Sequence, residues 1–281
     1  MTGADGFTGQ HFIPHAVEAG YTVHSLKSDL TNPSNLKSEV LAAKPELVVH
    51  LAAISFVGHA DVGELYNVNV VGTTNLLDAL CALPNTPKKV LIASSANVYG
   101  NTESSPIEES LAPSPVNHYA TSKLAMECMA RTYLDRLPIF FTRPFNYIGV
   151  GQAESFLIPK IVKHFKEGLP FIELGNLDVE REFNDVRFVC DAYIKLLNSA
   201  LVGESYNICS GKPYSLTSVL DLLAEITSHS LEVRVNPAFV RSNEIKRLFG
   251  NPDKLHEVVG EIHQYTLRET LQLLLSHRQA S

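Results

Sequence analysis

Tyr119 and Lys123 stand four residues apart at the start of a stretch, 117–136, whose pattern predicts a helix. Both side chains then project from one face. An ammonium beside a phenol favours the phenolate and lowers the tyrosine pKa toward a range useful for proton transfer. Upstream, Val90-Leu91-Ile92-Ala93 reads as a buried strand that ends in Ser94-Ser95. The carboxyl ends of parallel strands are where α/β folds place functional groups. From there Ser95 could hydrogen-bond the same substrate oxygen as Tyr119. Taken alone, a tyrosine and a lysine at this spacing fit a surface phenol and a solvated ammonium better. Joined to Ser95 and to the glycine loop described next, in this order, they point to proton transfer.

Gly3-Ala4-Asp5-Gly6-Phe7-Thr8-Gly9 has glycines three apart ahead of a helical pattern. In a βαβ unit the first such glycine allows a tight turn and the second lets backbone N–H groups approach a pyrophosphate. The third lets helix and strand pack closely. A buried strand normally precedes this loop, and only Met1 and Thr2 stand before it. The first strand, ordinarily central in such a sheet, is therefore expected to be truncated. Either the natural protein starts upstream of this Met1, or a central strand is lost and cofactor binding and stability are weakened.

The elements that must position these residues follow an alternation. Residues 21–26, 47–53, 89–94 and 139–142 are strand-like, and helical patterns cover 9–19, 33–43, 61–83 and 117–136. Pro33 opens the second helix and Pro45 follows its end. Repeated β-α-β with short connections predicts an α/β fold, a Rossmann-type doubly wound parallel sheet. Residues 101–115, rich in Ser, Pro and Glu, read as a surface loop. After Pro144 the alternation loosens into helices at 156–167, 186–201, 215–228 and 267–276, with strands at 205–209 and 231–235. The expected organisation is a dinucleotide-binding domain over 1–143, also using 178–210. A smaller C-terminal α/β substrate lobe would comprise 144–177 and 211–281.

The 281 residues are 45% hydrophobic and 19% charged, enough for a sizeable core, and the formal charge of −7 argues against a general nucleic-acid binder. The four cysteines contain no CxxC pair and read as thiols in a reducing compartment. No apolar run approaches a membrane span and no signal pattern opens the chain, so the expected location is cytoplasmic. His256-Glu257-Val258-Val259-Gly260 breaks the HExxH pattern at its last position, and no metal site is expected.

Read together, the motifs resemble the extended short-chain dehydrogenase/reductase family (NAD-dependent epimerase/dehydratase) acting on nucleotide sugars. The matching stretches are Thr2-Gly3-Ala4-Asp5-Gly6-Phe7-Thr8-Gly9, His50-Leu51-Ala52-Ala53, Asn69-Val70-Val71-Gly72-Thr73, Ser94-Ser95-Ala96-Asn97-Val98-Tyr99-Gly100, Tyr119-Ala120-Thr121-Ser122-Lys123 and Arg143-Pro144-Phe145-Asn146. The second lobe is most similar to the GDP-6-deoxy-D-mannose reductases of that family. Phe145-Asn146-Tyr147-Ile148-Gly149-Val150-Gly151-Gln152, Gly175-Asn176-Leu177-Asp178, Tyr206-Asn207-Ile208-Cys209-Ser210-Gly211 and Arg241-Ser242-Asn243-Glu244 carry this likeness. Two departures stand out: Phe188 where related sequences usually have an acid, and Gly260-Glu261-Ile262 in place of a Gly-Trp turn.

The resemblance implies Ser95, Tyr119 and Lys123 as catalytic groups. The implied cofactor contacts are Gly3, Gly6, Phe7, Thr8 and Gly9, then Asp29 and Leu30 at the adenine, with Leu51, Ala52, Ala53, Asn69 and Phe145. Asn69 reads more as a bridge between loops than as a reacting group. Ser55, Asn146, Arg181, Arg241 and Glu244 are implied for substrate, the two arginines clamping a diphosphate and Glu244 accepting from ribose hydroxyls. The end of the second strand offers Ser25 and Lys27 and no carboxylate, which leans the choice toward NADP(H) over NAD(H). The implied reaction is reduction of a C4 ketone, from GDP-4-dehydro-6-deoxy-D-mannose to GDP-6-deoxy-D-mannose (GDP-rhamnose). A 4-epimerase like UDP-glucose 4-epimerase and a non-catalytic NADP(H)-binding scaffold are the alternatives. Dehydration is disfavoured, because Asn97 stands where related dehydratases have Glu. A homodimer is expected through helices near 61–83 and 117–136, with Leu124, Met126, Cys128 and Met129 supplying apolar surface.

Overall fold

Neighbouring residues on three strands of the main sheet belong to different cores. Val49, Leu91 and Phe140 face one side, while Val48, Val90, Ile92 and Phe141 face the other, all essentially without solvent contact. Strands buried on both faces are what a parallel sheet between two helical layers requires. The computed structural model, which describes residues 1–55, 57, 59–240 and 244–277, has these strands parallel in the order β1 (Leu47–His50), β2 (Lys89–Ala93), β3 (Ile139–Pro144) and β4 (Ser205–Ile208).

Helices α1 (Phe7–Glu18), α2 (Pro33–Ala43), α3 (Val62–Tyr66), α4 (Thr73–Cys81) and α5 (His118–Arg131) precede β3 in the chain. Phe12 and Ala16 of α1 pack on the first face, while α2, α4 and α5 cover the second with Leu36, Leu76, Leu77 and Met126. Helix α2 occupies 33–43 as expected: the Asn32 side chain accepts from Asn35 N–H and Pro33 fills the first helical position. The helix expected over 61–83 is instead broken by a π-helical turn, Asn67–Gly72, that carries Asn69 into the interior.

The run 21–26 does not form a strand. Among the described residues its ladder contacts are with Met1: the Met1 ammonium donates to His24 O at 2.6 Å, and Leu26 N–H donates to Met1 O at 2.8 Å. Thr2 in turn bridges His50 on β1 in parallel. Met1 and Thr2 thus lie between 24–26 and β1, in the position of the first strand, and two residues do not make a repeating ladder.

Past β3 come α6 (Leu157–Lys166), α7 (Val186–Ser199), α8 (Leu216–Thr227), α9 (Asp253–Val259) and α10 (Leu267–Ser276). Helix α7 packs with α1 on the sheet, whereas α6, α8 and α10 enclose a separate core with the parallel strand pair Phe171–Leu174 and Glu232–Val235. Of these, Phe171–Leu174 and α9 have no counterpart in the sequence expectation. Among the described residues no helix is long and apolar enough to cross a membrane.

A buried ion pair joins α5 to β3. Arg143 meets Glu127 in bidentate fashion, Nε to Oε1 at 3.0 Å and Nη2 to Oε2 at 2.7 Å, and both side chains are almost wholly enclosed. Its Nη1 donates to the Tyr99 hydroxyl, which donates to Asn207 Oδ1 on β4. Truncating Glu127 strands the guanidinium. Glu127→Ala is expected to destabilise the fold by roughly 3–5 kcal/mol, measured by urea denaturation.

Candidate active site

A cleft of about 1170 Å³ runs between the sheet and the second core. That exceeds the roughly 300–1,000 Å³ of a single-ligand pocket and leaves room for a dinucleotide and a second molecule. The glycine loop forms one wall. Gly3 has φ +69°, and a Cβ there would meet Ala52 N at 2.6 Å; a Cβ on Gly9 would meet Gly3 O at 2.1 Å. At Gly6 the nearest neighbour is Gly3 O at 3.4 Å, so that glycine leaves space where phosphates would approach. Helix α1 begins on Gly6 with no side-chain cap and no acid in its first turn. The N-terminal N–H groups of α1 and its dipole therefore suit an anion.

The cleft floor comes from the loop after β1, with Leu51, Ala52, Ala53 and Ser55. Ser95, Asn97, Tyr119 and Lys123 converge at its centre, and Phe145, Asn146, Arg181 and Glu244 lie on the second-lobe side. Sixteen of the residues that sequence pointed to, from Gly3 to Glu244, are thereby brought to one cavity. Asp29 and Leu30 do not line it: the Asp29 carboxylate accepts from Thr31 N–H and hydroxyl in a local turn, and the Leu30 side chain is in the core. Asn69 is fully buried behind the floor, bonded to Ile54 and Ser122. Arg241 lies outside the described residues.

Ser95 follows the end of β2 and caps the short 3₁₀ turn Ala96–Tyr99. Its Oγ accepts from Asn97 twice, from N–H at 3.2 Å and from Nδ2 at 3.1 Å. With both lone pairs engaged, its proton is free to be donated. Tyr119 is the second residue of α5, fixed by Asn117, whose side chain accepts from Ala120 N–H. Burial pushes the Tyr119 phenol above the ordinary tyrosine value, and a hydrogen bond from Ser95 offsets part of that. The sequence reading expected Lys123 to lower this pKa. Instead burial dominates, and Tyr119 is kept protonated, as a proton donor must be.

Lys123 Nζ donates to the Ala93 carbonyl at 2.8 Å. Burial lowers its pKa to about 8, with Glu127 acting in the opposite direction. Tyr147, not singled out as a site residue from sequence, places its hydroxyl 2.7 Å from Thr8 Oγ1 and stacks on Phe7 with ring centroids 6.0 Å apart. The sequence signal for it was its neighbourhood to Asn146. On the far side Arg181 is already engaged: Nη2 meets Glu244 Oε1 at 2.8 Å and the Ile245 carbonyl, and Nη1 donates to the carbonyls of Glu180 and Lys246. The two residues expected to take separate parts of a nucleotide are thus paired with each other. Beside the glycine loop, Glu39 of α2 accepts from the N–H groups of Lys27 and Ser28. A carboxylate absent from the local sequence is supplied from another element. Lys27 Nζ pairs with Asp5 of the glycine loop at 3.2 Å.

Fold and site together define a Rossmann-type oxidoreductase that uses a nicotinamide cofactor. A family model described as GDP-mannose 4,6 dehydratase matches residues 25–274. The chain belongs to that family, and the resemblance to extended short-chain dehydrogenase/reductases holds. It is 39% identical over 285 residues to a GDP-6-deoxy-D-talose 4-dehydrogenase of Aggregatibacter actinomycetemcomitans, covering 99% of this chain and 97% of that one. It is 35% identical over 292 residues to the GDP-6-deoxy-D-mannose reductase of Pseudomonas aeruginosa, covering 98% and 95%. Among solved structures, RMD from Pseudomonas aeruginosa complexed with NADPH superposes with a TM-score of 0.90 at 34% identity, over 98% of this chain and 96% of the other.

Gly9→Ala is expected to weaken NADPH binding by at least about tenfold, since the added methyl must push the loop off α1; fluorescence titration measures it. A second expectation concerns pH. Lys123 carries its charge below about pH 8 and loses it as pH rises through that value. The value of kcat/KM should therefore fall above about pH 8, and a profile flat to about pH 10 would exclude a role for that charge.

Proposed function

We propose that this protein reduces the C4 ketone of a GDP-linked 4-keto-6-deoxy sugar, taking GDP-4-dehydro-6-deoxy-D-mannose to GDP-6-deoxy-D-mannose, with NADP(H) as the preferred cofactor. The observation that carries the reading is the convergence of Ser95, Tyr119 and Lys123 on one cleft, with Asn97 turning the Ser95 hydroxyl into a donor. Two relatives that match nearly all of this chain bear names for redox chemistry on GDP-6-deoxy sugars, one of them at position 4. The NADPH in one similar structure supports the cofactor choice, whereas the missing local acid no longer argues for it, because Glu39 brings a carboxylate to Lys27 and Ser28 and Lys27 is paired with Asp5.

Gly3, Gly6, Phe7, Thr8 and Gly9 would hold the pyrophosphate, Leu51, Ala52 and Ala53 would floor the cofactor, and Phe145 would flank it. A nicotinamide bound there would supply hydride to the sugar C4. As the carbonyl π pair moves to oxygen, Tyr119 gives that oxygen its proton and Ser95 donates a hydrogen bond to it. Lys123 stabilises the tyrosinate left behind and orients the nicotinamide ribose. Asn146 and Ser55 face the sugar, and Arg181 is freed for the diphosphate when Glu244 turns to the ribose hydroxyls. Arg241 is the second arginine of this clamp.

A second reading has support from the talose-named relative. 6-Deoxy-D-talose and 6-deoxy-D-mannose differ at C4 alone, so the face of the ketone presented to the cofactor selects the product. The assembly we propose is a homodimer through α4 and α5. On these helices and the turn between α3 and α4, Val71 and Cys128 are exposed, whereas Met126 is taken up by the core.

Incubation with GDP-4-dehydro-6-deoxy-D-mannose and NADPH should consume the nicotinamide absorbance, and NMR of the product assigns its C4 configuration. Tyr119→Phe should lower kcat by roughly 10²–10⁴-fold. Interconversion of sugars without net NADPH oxidation would establish a 4-epimerase instead. Unchanged turnover in the phenylalanine variant would remove the assigned proton donor.

A further inference from the structure

A buried line of hydrogen bonds runs from the glycine loop to α5 without touching the reacting groups, and His50 stands at its middle. The ring Nδ1 is 2.7 Å from Thr2 Oγ1, and Nε2 is 2.8 Å from Thr73 Oγ1. The Thr73 hydroxyl donates its one proton to the Asn69 carbonyl at 2.7 Å. His50 Nε2 must therefore carry the proton shared with Thr73, which leaves Nδ1 as an acceptor. The Thr2 hydroxyl donates to that Nδ1, while its oxygen accepts from Ala52 N–H at 3.2 Å. One tautomer and one set of hydroxyl orientations satisfy the whole line.

Beyond Asn69 the line continues through its side chain. Oδ1 accepts from Ile54 N–H at 2.8 Å, and Nδ2 donates to Ile54 O at 3.1 Å and to Ser122 Oγ at 3.0 Å. Ser122 donates to the backbone carbonyl of Tyr119 at 2.8 Å. Thr2, His50, Asn69, Thr73 and Ser122 are each no more than 2% exposed, so water cannot substitute for a lost partner. Burial, with the nearby positive charges of Lys123 and the N-terminus, lowers the His50 pKa to about 3. The ring is neutral at any working pH, with the one donor and one acceptor the line needs.

We propose that His50 is a positioning residue: it holds the line in one order and thereby sets the spacing between the pyrophosphate loop at Gly3–Gly9 and Tyr119. The two ends of the line support this. Thr2 adjoins Gly3 and ties down Ala52 on the cleft floor, while Ser122 grips Tyr119 from behind. The proposal rests on the reading of Tyr119 as proton donor.

The test uses His50→Leu, which keeps bulk and removes both bonds, and His50→Gln, which keeps one donor and one acceptor. Ser122→Ala cuts the far end. His50→Leu is expected to lower kcat by roughly 10–100-fold with little change in KM, as misplacement of a reacting group does. His50→Gln should restore most of it. Amide hydrogen exchange should quicken at 50–54 and also at 119–123 in His50→Leu, with α8 and α10 unchanged. Since both substitutions break one line, kcat of the His50→Leu/Ser122→Ala double variant should match the worse single variant. Exchange confined to the neighbourhood of residue 50, or multiplying effects on kcat, overturns the proposal. Should His50→Leu fail to fold, Thr73→Val breaks the same link and is read the same way. If the wild-type protein does not turn over the GDP sugar, the functional reading fails while the exchange experiment still decides this one.

Discussion

The site is organised around a buried cation. Lys123 has no carboxylate within ion-pair distance among the described residues, and its ammonium is held by the Ala93 carbonyl at the end of β2. Taking an ammonium out of water without a contact ion pair disfavours its charge, which is why its pKa is lowered to about 8. Glu127, one turn further along α5, opposes that effect from a distance because Arg143 has taken both its oxygens. The position of Tyr119 follows: it sits one turn before Lys123 on the same face. The chain leaving β2 must turn immediately after Ala93, and the turn presents Ser95 beside the phenol. One strand end, one helix face and one short turn are thus fixed by where a single charge can be tolerated.

What the sequence made legible were features with local causes. The glycine spacing, the Tyr–Lys interval, the proline at the start of α2 and the continuous apolar runs of β1 to β3 all follow from steric or periodic rules within a few residues. Features that depend on distant partners were not legible. Residues 21–26 have the composition of a strand, but a strand needs a neighbour, and among the described residues their parallel backbone partner is Met1. The helix pattern over 61–83 is continuous in hydrophobicity, yet the π turn that buries Asn69 answers to Ile54 and Ser122. Phe188, where an acid was anticipated, fills the core between α7 and the sheet.

The second lobe shows the same contrast in its charges. The family resemblance implied Arg181 for a diphosphate and Glu244 for ribose hydroxyls, two different parts of a nucleotide. Enclosed together they neutralise one another, and burial holds Arg181 below its ordinary pKa. A diphosphate can take the place of the carboxylate on the guanidinium, and Glu244, whose side chain is a quarter exposed, can turn to solvent or to a hydroxyl. The pair is therefore compatible with substrate binding. It also means that the arginine is pre-positioned, since four carbonyl and carboxylate contacts already orient it.

Asn97 stands where the resemblance implies a glutamate in dehydratases, whose reaction is named in this family's description. Dehydration requires a base that removes a proton from the sugar carbon, and an amide cannot act as one at neutral pH. The Asn97 amide has a different use, because its Nδ2 and backbone N–H occupy both lone pairs of Ser95 Oγ. The serine proton is then directed away from residue 97, toward Tyr119 and the substrate oxygen. A carboxylate at this position would accept the serine proton and reverse that polarity. The same turn would then remove a donor from the carbonyl and add a base beside the sugar. The choice between amide and acid at one position thus changes both what Ser95 can do and which bond of the sugar can break.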